Sequence, residues 1–199
     1  MQLTYPKAPV GGVQQLRPVL QAALQTQGFG INRAFANAGP ATLNLSQAFR
    51  GYTLSLEDLA NGQDLAQATP GDWHYLVFAG GVSIADAQLT ETTGQLEFCA
   101  LNHGALAAST ISALNLAEQA PQLQGKSYEL RLLFVPALQA TLIWLHGDAE
   151  EVLIPIEPTP ANLAPRQLYS EATLFGLLVP AAKQAKAVFD ADTSGTLGG

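Results

Sequence analysis

Apolar and polar residues alternate along much of the chain, most regularly between Tyr128 and Ile156. Alternation with a period of two is typical of strands with one buried face. The pattern predicts three consecutive strands: 128–135, 138–146 and 151–156. Pro136 cannot donate a backbone hydrogen bond, and Gly147-Asp148 is a turn sequence, so both separate strands rather than lie inside them.

The alternation becomes apolar on both faces at Leu133–Val135 and again at Ile143–Leu145. A strand that is apolar on both faces is covered on both faces. We therefore expect a terminal helix or a second subunit to cover the end of this hairpin near Pro136.

The rest of the chain predicts four earlier strands and three helices. The strands are expected at 52–56, 73–79, 82–89 and 95–101. One helix is expected at about 16–27 with Pro18 in its first turn, a second follows Asn102 as its cap, and a third begins at Ser170.

Short hairpin turns require antiparallel neighbours, so the order of elements predicts an α+β fold. We expect a mostly antiparallel sheet, built as two meanders separated by a helix. The N-terminal, central and C-terminal helices are expected on one face of it. No linker interrupts the pattern before residue 157, which favours one domain over 1–199 with a mobile tail at 190–199.

Charge is scarce and predominantly acidic. Charged residues make up 13% of the sequence, and the net charge is −7. Lys and Arg form no run or stripe, which disfavours nucleic acid and anionic membranes as partners. A low surface charge permits self-association or contact with an unknown protein partner, and it is equally compatible with a monomer.

The N-terminus has no signal-peptide pattern, and no apolar run approaches the ~20 residues of a membrane helix. Cys99 is the single cysteine, so no intramolecular disulfide is expected. These features favour a soluble, cytoplasmic protein.

Four residues are candidates for lining a pocket: Trp73, Tyr75, Arg131 and Trp144. If the aromatic residues share a sheet face they could form the floor of a pocket between sheet and helix, although such residues more often fill the core. Arg131 needs a partner because it lies in a strongly apolar strand. Glu129 is two residues away on the same face, and Glu97 or Glu157 is an alternative.

The C-terminal segment from Phe189 resembles the first half of an EF-hand calcium loop. Its candidate metal ligands are Asp190, Asp192 and Ser194, followed by Gly195 at the turn position. The sequence ends before the bidentate Glu that completes such a loop. The alternative is an acidic tail without a bound ion.

Other candidate chemistry is weaker. Cys99 and His103 could form a thiolate pair, but a lone cysteine in a strand is most often a small buried residue. The spacing of His74, His103 and His146 is not that of metal ligands.

No phosphate loop, dinucleotide fingerprint or nucleophile elbow is present, so no cofactor is expected, and whether the protein is an enzyme stays open. The leading hypothesis is a non-enzymatic module for protein interaction or structure. The alternatives are a small-molecule binder or enzyme with a sheet–helix pocket, and weak calcium binding by the tail.

Overall fold

The computed structural model describes residues 1–26, 35–36, 38–103 and 105–191. Within these ranges, ten strands form one sheet. The strands are β1 (Gln2–Thr4), β2 (Leu43–Leu45), β3 (Phe49–Thr53), β4 (Thr69–Ala79), β5 (Val82–Thr92), β6 (Gln95–His103), β7 (Ser127–Val135), β8 (Ala140–His146), β9 (Glu151–Ile156) and β10 (Tyr169–Ser170). The helices are α1 (Gly12–Gln25), α2 (Leu56–Ala60), α3 (Ala105–Gln119) and α4 (Glu171–Ala191).

The sheet is mostly antiparallel, so the protein has an α+β fold. Its main path runs β10-β9-β8-β7-β3-β4-β5-β6, with β1 also paired to β7 and β2 to β4. The pairings of β7 with β1 and with β3 are parallel, and the others are antiparallel. The alternating pattern did not predict these parallel contacts, since they join strands that are far apart in the chain.

Helix α3 covers one face of the sheet. Its apolar residues Ala113, Leu114 and Ala117 pack with Leu130 and Ile143 from the middle strands. The same cluster also contains Phe49, Leu76, Leu132, Leu145, Val152 and Ile154. This face is the more continuous of the two, because one cluster spans both halves of the sheet.

The opposite face is covered in two places. Helix α1 packs through Leu16 and Leu20 on the β4–β6 half. Helices α2 and α4 pack on the β7–β9 half, where Leu174 and Leu178 contact a cluster that includes Leu133. The expectation that all helices lie on one face is therefore wrong. The expectation that a terminal helix covers the end of the hairpin near Pro136 is confirmed.

Several element boundaries differ from those expected. Pro18 lies inside α1 rather than in its first turn, because the helix begins at Gly12. Leu56 begins α2, with Ser55 as its cap, instead of ending a strand. Asn102 lies in β6 and pairs with Asp86, so it does not cap α3. Helix α4 begins at Glu171, one residue after Ser170, and contains Pro180 in its interior.

None of the helices in the described ranges combines the length and the apolarity that a membrane span requires.

Candidate functional site

A row of two arginines and two tryptophans crosses the middle of the face that carries α1, α2 and α4. Arg131 is paired across the strands with Trp144 on one side and Arg50 on the other. Arg50 is paired in turn with Trp73. Residues paired in register share a face, so these four side chains form a continuous row, called here the Arg–Trp row.

Arg131 is held in place by aromatic rings and by one carboxylate. Its guanidinium carbon lies 4.7 Å from the ring centroid of Trp144 and 4.9 Å from that of Tyr52. Its Nε donates to Glu129 Oε1 over 2.6 Å. The prediction that Glu129 pairs with Arg131 is confirmed. These contacts orient the guanidinium, because stacking and the Nε hydrogen bond restrict its plane.

The indole of Trp144 is anchored through its nitrogen. Nε1 donates to Glu151 Oε2 over 2.6 Å, and the other carboxylate oxygen, Oε1, lies 2.7 Å from His146 Nδ1. Trp144 is buried, and its ring also meets Tyr52 edge-on at 5.1 Å. Trp144 is therefore held under Arg131 by contacts at both its nitrogen and its ring.

A cleft of about 320 Å³ opens over this platform. Strands β3, β7, β8 and β9 supply its floor, and the segment after α2 and the start of α4 supply its rim. The lining residues are Tyr52, Asp64, Leu65, Ala66, Ala68, Arg131, Trp144, His146, Glu151 and Glu171. The size is at the lower end of the range for small-molecule sites.

The rim carboxylates are positioned by backbone hydrogen bonds. Glu171 Oε1 accepts from Leu65 N, and Asp64 Oδ1 accepts from Ala66 N, each at 3.0 Å. Each carboxylate uses only this one oxygen within the described part of the chain. The second oxygen of each group is thus available to a ligand.

Arg131 also keeps hydrogen-bonding capacity. Only its Nε has a hydrogen-bond partner among the described residues, which leaves both Nη groups available. The cleft therefore contains free donors on one arginine and free acceptors on Asp64 and Glu171. Among the described residues, three carboxylates line the cleft against one guanidinium, so the charge of this lining is negative even before Glu129 is counted.

Trp73 lies at the other end of the Arg–Trp row and does not line this cleft. Its ring stacks with Arg50 at 4.9 Å, and its Nε1 donates to Glu91 Oε2 over 3.0 Å. Glu91 also pairs with Arg50 at 3.3 Å. The same chemistry thus occurs twice in the row, but only the Arg131 end opens into the cleft.

Tyr75 is buried beneath α1 and is remote in the sheet from Arg131. A Cβ on Gly12 would overlap the Tyr75 hydroxyl oxygen, which shows how closely the helix approaches the ring. Burial raises the pKa of Tyr75 above its ordinary value. The four candidates therefore do not form a single pocket: Arg131 and Trp144 share a cleft, while Trp73 and Tyr75 lie elsewhere on the same face.

The tail candidates can be followed only in part. Asp190 is in the last turn of α4 and pairs with Lys186 at 3.3 Å. Asp192 and Ser194 lie outside the described residues. No group of three or more His, Cys, Asp or Glu side chains within the described ranges is arranged to hold a metal ion.

Cys99 is exposed, which contradicts the interpretation of a small buried residue. The pairing of β5 with β6 skips it, because Leu89 pairs with Phe98 and Gln88 with Ala100. This bulge on the outer strand turns Cys99 away from the core. His103 lies at the far end of the same strand, and burial lowers its pKa below the ordinary value.

The sequence interpretation missed Tyr52, Asp64, Glu151 and Glu171 as parts of a site. Asp64 and Glu171 are 107 positions apart in the sequence. They come together because the backbone N–H of Leu65, the neighbour of Asp64, donates to Glu171 Oε1. A spacing motif cannot reveal such a contact. The detectable signal was Tyr52, which alternates with Thr53 on a predicted strand.

A comparison of the chain with models of known protein families, with curated proteins and with solved structures finds no match. The chemistry of the cleft is therefore inferred from its own geometry.

Proposed function

We propose that the protein binds a small ligand of the basic amino acid type in the cleft over Arg131 and Trp144. The ligand would carry one carboxylate, an α-ammonium and a second cationic group, an ammonium or guanidinium on its side chain. The observation that carries this proposal is the pair of uncommitted Nη groups on a stacked, immobilised arginine within a cleft that is otherwise acidic.

The carboxylate of the ligand is assigned to Arg131. A guanidinium binds a carboxylate through two parallel hydrogen bonds, and such charge-assisted bonds are stronger than neutral ones. Stacking on Trp144 and Tyr52 supports binding because the guanidinium need not be ordered when the ligand arrives.

The cationic group of the ligand is assigned to the free oxygens of Asp64 and Glu171. These carboxylates have no cationic partner among the described residues. A ligand with a net positive charge would offset the excess of carboxylates, whereas a simple dicarboxylate would be repelled by them. Backbone hydrogen bonds already hold both carboxylates in place, so these groups, like the guanidinium of Arg131, need not be ordered when the ligand binds.

Isothermal titration calorimetry with matched ligands tests the proposal. L-Lysine and L-arginine are expected to bind, while L-norleucine, which lacks the side-chain amine of lysine, should bind at least about tenfold more weakly. Agmatine, which is arginine without its carboxylate, should also bind more weakly. Equal binding of lysine and norleucine would contradict the role given to Asp64 and Glu171.

Two arginine variants complete the test. Arg131→Gln should weaken lysine binding by about tenfold or more, because a charge-assisted hydrogen bond contributes about 1.5–3 kcal/mol. Arg50→Gln is the matched control: Arg50 is also stacked on a tryptophan and paired with a glutamate, but it does not line the cleft. Equal losses in both variants would point to a general change of the sheet and not to ligand contact.

The hypothesis of a protein-interaction module stays a prediction. It is supported by Val188 and Phe189 in the last turns of α4, which are 57% and 50% exposed. Multi-angle light scattering over a wide range of protein concentration tests it. Self-association that Val188→Ser and Phe189→Ser abolish would support it, and a monomer throughout would count against a homo-oligomer.

A further inference from the structure

A buried histidine on the face covered by α3 has one ring nitrogen without a partner. His74 is 2% exposed, and its Nδ1 lies 2.9 Å and 3.2 Å from the two carboxylate oxygens of Asp86. Asp86 is 1% exposed. His74 Nε2 is equally buried but forms no hydrogen bond to any described residue. Because a buried polar atom without a partner is costly, Nε2 calls for an explanation.

The ring of His74 is fixed in position. It stacks on Phe49 with a centroid separation of 5.8 Å and lies 5.7 Å from the ring of Phe134. When Asp86 accepts the Nδ1 hydrogen of a neutral imidazole, the lone pair lies on Nε2, which is then an acceptor. In this tautomer the unpartnered atom requires a hydrogen-bond donor.

The Nε2 edge of the ring faces Gly51. A Cβ on Gly51 would lie 3.0 Å from Nε2 and 2.9 Å from Phe134 Cε2. Gly51 sits where the pairing of β3 with β4 shifts register between Arg50 and Tyr52. Bulges of this kind are frequent beside functional sites, where they alter the direction of neighbouring groups.

A cavity of about 330 Å³ adjoins this edge. His74, Gly51 and Phe134 all line it. The remaining lining residues are Thr53, Gly71, Asp72, Gln88, Asn102, Leu106 and Pro136. The cavity is distinct from the Arg131 cleft, because Gly51 and Phe134 point to the α3 face and Tyr52 and Arg131 to the opposite one.

Two polar side chains of this cavity, Gln88 and Asp72, keep free acceptors. Gln88 Nε2 donates to Asp72 Oδ2 over 2.5 Å, which leaves Gln88 Oε1 and Asp72 Oδ1 without a donor among the described residues. Asp72 also has no cationic partner in the described part of the chain. Together with His74 Nε2, three acceptors and one unpaired negative charge border the same space, next to apolar Leu106, Phe134 and Pro136.

We propose that this cavity binds a primary alkylammonium group, with Asp72, Gln88 and His74 as acceptors and the apolar wall in contact with the alkyl chain. A primary ammonium has three N–H donors, which matches the three free acceptors in number. Its charge pairs with Asp72, and one of its donors satisfies His74 Nε2, a buried nitrogen that the described residues leave without a partner. The proposal goes beyond the binding function assigned to the Arg131 cleft and does not depend on it.

The test uses n-butylammonium and follows the histidine side-chain nitrogens by ¹⁵N NMR at a pH where His74 is neutral. The expected result is a saturable shift of His74 Nε2 at concentrations of n-butylammonium that leave the nitrogens of His146 in the other cleft unchanged. n-Butanol has the same chain with one donor and no charge, and tetramethylammonium has the charge without donors. Both should bind at least about tenfold more weakly.

Variants separate this site from the Arg131 cleft. Asp72→Asn preserves shape and removes the charge, and should weaken n-butylammonium binding about tenfold or more. Asp64→Asn and Arg131→Gln should leave it within about twofold, since neither lines this cavity. If Asp72→Asn fails to fold, the titration of the unaltered protein decides. A His74 Nε2 resonance that does not move, or that n-butanol moves equally, would overturn the proposal.

Discussion

Gly51 offers a sharp test of the packing around His74. Alanine at this position would place its Cβ 2.9 Å from Phe134 Cε2 and 3.0 Å from His74 Nε2. Gly51 is not among the residues with positive φ, so alanine causes no backbone strain and the penalty is steric. Neither ring can move away easily, because Asp86 binds His74, Phe49 stacks on it, and the ring of Phe134 lies only 5.7 Å from the ring of His74.

The magnitude follows from two opposing effects. Overpacking in a well-packed core costs about 1–3 kcal/mol. Replacing glycine by alanine also stabilises by about 0.4–1 kcal/mol, because it restricts the unfolded chain. With the middle of each range, about 2 against about 0.7 kcal/mol, Gly51→Ala should lower the free energy of unfolding by roughly 1.3 kcal/mol. For a domain of this size the melting temperature should fall by about 1–10 °C.

Urea denaturation and thermal melting measure the effect, with Gly176→Ala as the matched control. Gly176 lies inside α4, and a Cβ there would meet nothing within 4 Å. The control should therefore gain about 0.5–1 kcal/mol from improved helix propensity. If Gly51→Ala were as stable as the unaltered protein, or more stable, the argument that the ring edge of His74 fills this space would be refuted.

Further predictions concern the core, a helix cap and alkaline pH. Leu174→Ala, at a fully buried position of α4, should lower the free energy of unfolding in urea by about 2–5 kcal/mol. A loss below ~1 kcal/mol would contradict the packing of α4 on the sheet. Ser55→Ala removes the acceptor of the Asp58 N–H at the start of α2 and should cost about 0.5–2 kcal/mol in the same assay, whereas an unchanged midpoint would show that this cap is not stabilising. Burial, and secondarily Glu150, raises the pKa of Tyr128 far above its ordinary 10.0. The stabilisation that the protonated hydroxyl of Tyr128 gives the folded protein is complete below the unfolded-state pKa. It is lost as pH rises through the folded-state pKa, so the free energy of unfolding should fall above about pH 10. Tyr128→Phe should reduce this fall. Part of the fall should remain, because burial also raises the pKa values of Tyr5 and Tyr75. An equally steep fall in Tyr128→Phe would contradict the assignment of the pH dependence to Tyr128.

Local patterns predicted the strands of the C-terminal half closely. The predicted strand 151–156 coincides with β9, and the strand expected at 138–146 begins two residues later as β8 because Pro136–Leu138 form a short 3₁₀ turn. These strands alternate regularly and are joined by tight turns, so their pairing is local. The helix expected from Ser170 is also present as α4. It could be predicted because its apolar face and the preceding prolines are local signals.

The prediction failed where distant segments decide the structure. The parallel pairing of β3 with β7 aligns Arg50 with Arg131, and no local pattern indicates that register. The bulge at Cys99 depends on β5, and its exposure followed from that pairing rather than from alternation. Helix placement on both faces likewise depends on which half of the sheet each helix meets.

The candidate sites divide in the same way. The position of Arg131 in an apolar strand, and Glu129 as its partner, could be inferred from spacing because residues two apart on a strand share a face. The rim carboxylates Asp64 and Glu171 and the dyad of His74 with Asp86 could not be inferred, since turns and strand pairings bring them together. The sequence by itself determined an α+β chain with a two-sided apolar hairpin and an arginine that requires a partner. Only the tertiary structure decided that this arginine lies in an acidic cleft and that a buried histidine faces a second cavity, because both depend on contacts between residues that local periodicity does not relate.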